Sequence, residues 1–163
     1  MITVKYFKDT QDVSIKLDER RVQFFIDQAI GIDLVEVFGD FAYFLMENKD
    51  NPQYKDLYDG STYGKYKRHF GIKNLVASYA YSRYEMRSNT VPTAFGTVSK
   101  YNQDSSPISY SNTKDIVKQS KIDSDLMLKG ILDYIRQDEQ LNKEYNSCNG
   151  GSNPTYGSKI YSL

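Results

Sequence analysis

The side chains that could do chemistry are few, and they are not grouped. His69 is the sole histidine, so a histidine-based catalytic unit has one candidate base and no motif around it. Its place beside Arg68, ahead of an apolar run, predicts a partly exposed surface residue. Cys148 is the sole cysteine. It allows no disulfide framework and suggests a reducing compartment during folding. No HExxH, CxxC, EF-hand or glycine-rich phosphate loop occurs. Asp123 with Asp125, and Asp138 with Glu139, predict solvated faces of a helix rather than a paired acid and base. The sequence thus specifies no metal and no cofactor, and it argues against an enzyme, because function must be argued from a site.

Charge is the more informative property. Lysines and arginines balance aspartates and glutamates at a net of +0 over 163 residues, which argues against a protein whose main business is gripping nucleic acid. The signs are nevertheless segregated. Residues 40–59 hold Asp40, Glu47, Asp50, Asp56 and Asp59 against Lys49 and Lys55; residues 64–87 hold Lys65, Lys67, Arg68, Lys73, Arg83 and Arg87 against Glu85. One alternative is two ordinary solvated faces. The other is head-to-tail association, in which each subunit offers two different, complementary patches. Lys65, Lys67 and Arg68, interleaved with Tyr66, also form a small basic patch able to meet phosphates weakly and in a salt-sensitive way. The 15 tyrosines, with no tryptophan, exceed what one small core uses and point to contact surfaces.

The elements that must position these groups read as mainly helical. A chain of this length suits one domain with an adequate core. Ile2, Val4 and Tyr6 predict a short edge strand or arm. Asp18 is a good N-cap, with Leu17 and Val22 able to staple across it. Val22, Phe25, Ile26, Ala29 and Ile30 then form a helical stripe that Leu34, Val37 and Phe38 continue. Gly31 suggests a break, and Gly39 a C-terminal cap. Asp40 predicts the cap of a shorter helix ending near Asn48. Asn51-Pro52, Asp59-Gly60 and Tyr63-Gly64 predict a loop over 50–64, packed down by Tyr54, Leu57, Tyr58 and Tyr63.

From about His69 to before Pro92 the pattern is a helix apolar on more than one face, hence central. Thr93–Ser109 predicts a β-hairpin or long ordered loop turning near Asn102–Ser106. A last helix runs from about Asn112 to Tyr145, mildly interrupted at Ser124 and Gly130. Residues 1–146 form the helical domain, and 147–163 a flexible polar tail. The N-terminal MITVKYFKDT does not read as a signal peptide, and no run is apolar enough for a membrane span.

Gly71-Ile72-Lys73 leading into Ala80-Tyr81-Ser82-Arg83-Tyr84, then Thr93-Ala94-Phe95-Gly96-Thr97-Val98-Ser99-Lys100 and Ser106-Pro107-Ile108-Ser109, carry a resemblance. With FFIDQAIGIDLVEVFGDFAYFLMEN before them and a long final helix after, they resemble the head–tail connector (adaptor, or neck ring) proteins of crAss-like and related Bacteroidetes tailed phages. The resemblance covers roughly residues 14–145. It implies a structural virion protein: a helical bundle with one extended or hairpin segment at about 91–110, forming a dodecameric ring that joins portal to tail. It further implies partners in copies of itself, the portal protein and further neck or tail proteins, with genomic DNA in transient contact inside the lumen. Assembly would occur in the bacterial cytoplasm and the protein would end in the virion neck. No catalytic residue is carried over. Phe95, Gly96, Val98, Lys100, Pro107 and Ile108 become the candidate assembly segment, in which Phe95 and Val98 pin the segment and Gly96 permits a close approach. A different neck or tail-completion ring on the same fold, and a small Tyr-rich nucleic-acid-binding module using Lys65, Lys67 and Arg68, remain the alternatives. They differ in salt response, since phosphate contacts weaken steeply with salt.

Overall fold

The computed structural model describes residues 1–14, 17–88, 90–93, 96–99 and 110–151. Its centre is helix α6, Gly71–Ser88, which packs on helices α1 (Val4–Thr10), α2 (Glu19–Gln28), α5 (Lys55–Asp59) and α7 (Tyr110–Gln137). Ile72, Leu75, Val76, Ala77 and Ala80 are buried around its circumference, while Tyr79 is half-buried. A helix apolar on several sides must be covered on several sides, and this one is.

Small residues set how closely α7 approaches. Ser78 Oγ lies 2.8 Å from Ser124 Oγ, and Ser82 Oγ lies 2.8 Å from Ser120 Oγ. Ser82 and Ser124 also donate to carbonyls one turn back, those of Ser78 and Ser120. The four hydroxyls therefore satisfy one another inside the interface, which is the condition for burying them. Ser124 is not an interruption of the last helix but part of its seam.

The first turn of the chain departs from the sequence expectation. Val4–Thr10 is a helix, not a strand, capped by Thr3, whose side chain accepts from the Tyr6 amide. Ile2 and Phe7 are buried, and Phe7 meets the Tyr84 ring edge-on with centroids 6.3 Å apart. Burial of these side chains outweighs the weak β preference of two branched residues.

Helix α2 begins as its cap predicts, with the Asp18 side chain accepting from the Arg21 amide. Gly31 does not break it. The chain runs on through a π-helical segment, Ala29–Leu34, into α3, Val35–Phe38. A π-turn absorbs an extra residue, resetting the drift of the apolar stripe, so Leu34 and Phe38 stay buried with Ile26 and Ala29. Gly39 closes α3 at φ +58. Helix α4, Phe41–Glu47, follows, but Asp40 makes no side-chain cap. Instead its amide donates to Asn149 Oδ1 at 3.1 Å, and Asn149 Nδ2 donates to the Phe38 carbonyl.

Residues 50–64 are more than a loop. A 3-10 turn, Pro52–Tyr54, leads into α5, and strand β1 (Ser61–Tyr63) pairs antiparallel with β2 (Lys67–His69). Tyr54, Leu57 and Tyr58 are buried, as the packed-down expectation requires. Gly60 and Gly71 hold the crossing that lets β2 turn into α6. A Cβ on Gly71 would lie 2.4 Å from the Gly60 nitrogen, and both glycines have positive φ. Only residues without Cβ fit two backbones that close.

The final helix is two helices. Asp138 ends α7 and caps α8, Glu139–Cys148, its side chain accepting from the Leu141 amide. It is a cap, not one more carboxylate on a solvated face. Val117, Leu128, Ile131, Ile135, Leu141 and Tyr145 point inward. Asp138→Ala should lower unfolding stability by about 1 kcal/mol in urea titration, the usual worth of a cap. Helix α8 passes the expected start of the tail at 147; residues 152–163 lie outside the described part of the chain. Among the described residues, no helix is long and apolar enough to cross a membrane.

Candidate functional site

Where α6 ends, a second hairpin follows. Strand β3, Thr90–Thr93, pairs antiparallel with β4, Gly96–Ser99, in the register Thr90↔Ser99 to Thr93↔Gly96. The reversal thus falls between Thr93 and Gly96. The turn expected at Asn102–Ser106 lies outside the described residues. Of the candidate assembly segment, Gly96 pairs with Thr93 and Val98 with Val91. Phe95, Lys100, Pro107 and Ile108 fall outside the described residues.

The hairpin is tied at its root by a residue that sequence reasoning passed over. Arg21, in the first turn of α2, donates from one guanidinium nitrogen to the Thr90 carbonyl at 2.9 Å and from the other to the Arg87 carbonyl. Two bonds from one planar, permanently charged fork fix direction as well as position. Arg21 and Arg87 also lie over the Phe25 ring, at 5.9 and 5.7 Å from its centroid. The Arg87 carbonyl also accepts from Thr90 Oγ1 at 3.1 Å, and a cation at this end complements the helix dipole. Nothing in the spacing of Arg20-Arg21 signals this role; it depends on where α6 stops.

Beside that root lies a groove of about 310 Å³ between the π segment, α6 and α7, lined among others by Asp33, Arg83, Met86, Arg87, Val117 and Lys121. Arg83 grips Asp33 with two bonds, Nε to Oδ2 at 2.7 Å and Nη2 to Oδ1 at 2.8 Å. The hydrogen bond to Asp33 pushes the guanidinium further toward its charged form. The π-turn is what aims Asp33 at α6. Burial works in the opposite sense on Glu85, whose carboxyl it pushes up.

The charge blocks do not stand wholly apart. Lys73 Nζ lies 2.5 Å from Asp59, joining the basic block to the acidic one within the chain. Arg83 is committed to Asp33, whereas the cations of the basic patch make no ion pair among the described residues. Lys65 lies in the turn between β1 and β2, and Lys67 and Arg68 lie on β2, all exposed.

His69 is where the structure most corrects the sequence reading. It is buried at 1 % exposure, not partly exposed. Its ring stacks on Tyr134 at a centroid distance of 4.2 Å and meets Tyr63 edge-on. Strand alternation turns His69 inward while Arg68 faces out, and His69 packs against α7 at Gly130, where a Cβ would sit in ordinary contact at 3.5 Å from His69 Cβ. Ser61 Oγ sits 3.0 Å from His69 Nε2, the spacing of a nucleophile and its base. Among the described residues, however, Nδ1 has no hydrogen-bond partner to orient the ring. Burial lowers the imidazole pKa to about 4, against a smaller opposing pull from Asp56. The pair is a packing element of the fold. Among the described residues, no three His, Cys, Asp or Glu side chains are placed to hold a metal ion.

Residues 26–155 match the family described as a family of unknown function, DUF6712. No curated protein and no solved structure matches the chain.

Proposed function

We propose that this chain, which belongs to the DUF6712 family, is a structural assembly subunit: a ring-forming connector between the portal and the tail of a tailed phage. The observation that carries the reading is the β3–β4 hairpin, which follows the central helix and is locked at its root by Arg21. An element held firmly at its base, with its strands paired to each other, suits contact with a neighbour, because the outer edge of a two-stranded ribbon is a template for pairing with another chain. The resemblance in residues 14–145 supplies the kind of assembly: a dodecamer seated under the portal, DNA passing through its lumen, in the virion neck. The charged groove beside the hairpin root supplies a surface for an adjoining subunit. A different neck or tail-completion ring would use the same features.

Native mass of the purified chain, alone and mixed with portal, tests the proposal. The expected result is a twelvefold particle on portal that persists in high salt, because an interface with an apolar core resists screening. A chain that stays monomeric with portal at every salt concentration overturns it.

A further inference from the structure

The β1–β2 hairpin presents a set of groups that the assembly reading leaves unused. Its tip and second strand carry Lys65, Tyr66, Lys67 and Arg68 in succession, and Phe70 follows. Tyr66 is 87 % exposed and Phe70 48 % exposed, the former the most exposed large apolar side chain among the described residues. None of the three cations pairs with a carboxylate among the described residues; each lies against a ring instead. Lys65 Nζ is 5.2 Å from the Tyr66 centroid, Lys67 Nζ 5.9 Å from Tyr63, and Arg68 Cζ 5.4 Å from Phe70. The carboxylate that acts on Tyr63, Asp133, is taken up by Arg136 at 2.7 Å. The ribbon is rigid where it leaves the body: Tyr63 donates to the Gly130 carbonyl at 3.1 Å, and His69 is buried beneath it.

We propose that this ribbon tip binds nucleic acid, the three cations meeting successive phosphates and Tyr66 stacking on an unpaired base. Two features favour this partner over an acidic protein surface. Cations held beside aromatic faces, with an open ring between them, combine the two interactions that single-stranded nucleic acids offer together: a charged backbone and π-faces. An acidic peptide offers carboxylates to the cations but no π-face for the Tyr66 ring to stack on. Three cations predict modest affinity that falls with salt, with a log–log slope of about −2 for a single strand. The site uses no residue of the β3–β4 hairpin.

The test is fluorescence anisotropy with the full chain and a labelled single strand of roughly 12 nucleotides, titrated between about 20 and 200 mM salt. Wild type should bind at low salt. Lys65→Ala/Lys67→Ala/Arg68→Ala should abolish binding, and Tyr66→Ala should weaken it about tenfold while leaving the salt slope unchanged. These side chains are exposed, so unaltered thermal unfolding will show that each variant is folded. Lys5→Ala/Lys55→Ala/Lys118→Ala, equal in charge lost but away from the ribbon, should bind like wild type. The proposal is overturned if wild type does not bind at low salt, if the control loses as much as the tip variant, or if Tyr66→Ala binds unchanged. It is also overturned if poly-glutamate competes as well as the oligonucleotide, which would assign the tip to an acidic protein. None of these outcomes alters the native-mass result on portal, so the two proposals fail separately.

Discussion

Removing residues 91–109 and joining Thr90 to Tyr110 through a short glycine linker should leave a folded helical monomer that no longer assembles on portal. The helices give the first half of that expectation. Helices α6 and α7 are packed neighbours, and helix–helix connections of roughly 2–8 residues are ordinary. The deletion keeps Arg87 and Thr90, so Arg21 retains both carbonyl acceptors. It also keeps the serine seam and every buried apolar residue of the core. Circular dichroism and the urea midpoint should therefore change little.

The second half of the expectation comes from what is lost: the paired strands and the stretch that holds Phe95, Lys100, Pro107 and Ile108. If the arm is the contact, assembly should vanish rather than weaken, since a ring closes only when every interface forms. A companion variant separates contact from aim. Arg21→Ala keeps the hairpin but frees its root, and should lower assembly without abolishing it. A deleted chain that still assembles on portal with unchanged stoichiometry would sink the arm hypothesis. Ring contacts would then have to come from the helices and their charge blocks.

Much of this fold could be read from the chain because its strongest signals are local. Asp18, Gly39 and the stripe from Val22 to Phe38 each act within a turn or two, and the structure follows them. The all-round apolar character of Ile72–Ala80 needs no partner to be visible, yet it predicts a central helix. What escaped notice depends on distant contacts. Val4–Thr10 is helical because Phe7 finds Tyr84, far along the chain. Asp138 resembles any other acid on a helix until the break after Gln137 makes it a cap. The root of the candidate site escaped for the same reason: Arg21 is 66 and 69 positions from its two acceptors. The hairpin itself was legible as an extended segment, but its register was not, since weak alternation in Thr93–Lys100 fits more than one pairing.

His69 makes the sharpest physical prediction. Burial holds its pKa at about 4, against an ordinary value of 6.5 in the unfolded chain. As pH falls through 6.5 the unfolded state takes up a proton that the folded state refuses. Stability contributed by the neutral ring is therefore fully present above 6.5 and is lost progressively down to about 4. The whole loss is on the order of 3 kcal/mol. The imidazolium is resisted for two reasons visible at the site. The ring is enclosed between Tyr134 and Tyr63, and a second N–H at the buried Nδ1 would have no acceptor among the described residues.

Acid lability alone does not isolate this residue, because carboxylates titrate in the same range. Glu85, pushed up by burial, even acts in the opposite direction, favouring the fold as it protonates. The informative quantity is the difference from His69→Phe, which keeps a ring against Tyr134 and cannot charge. At neutral pH that variant should be the less stable by about 1 kcal/mol, having lost the Ser61 bond. Between pH 6.5 and 4 it should become the more stable, its urea-derived stability falling less steeply than wild type by the equivalent of one proton. Parallel curves for the two proteins across that window would mean that His69 is not held neutral, and that the packing around it tolerates the charge.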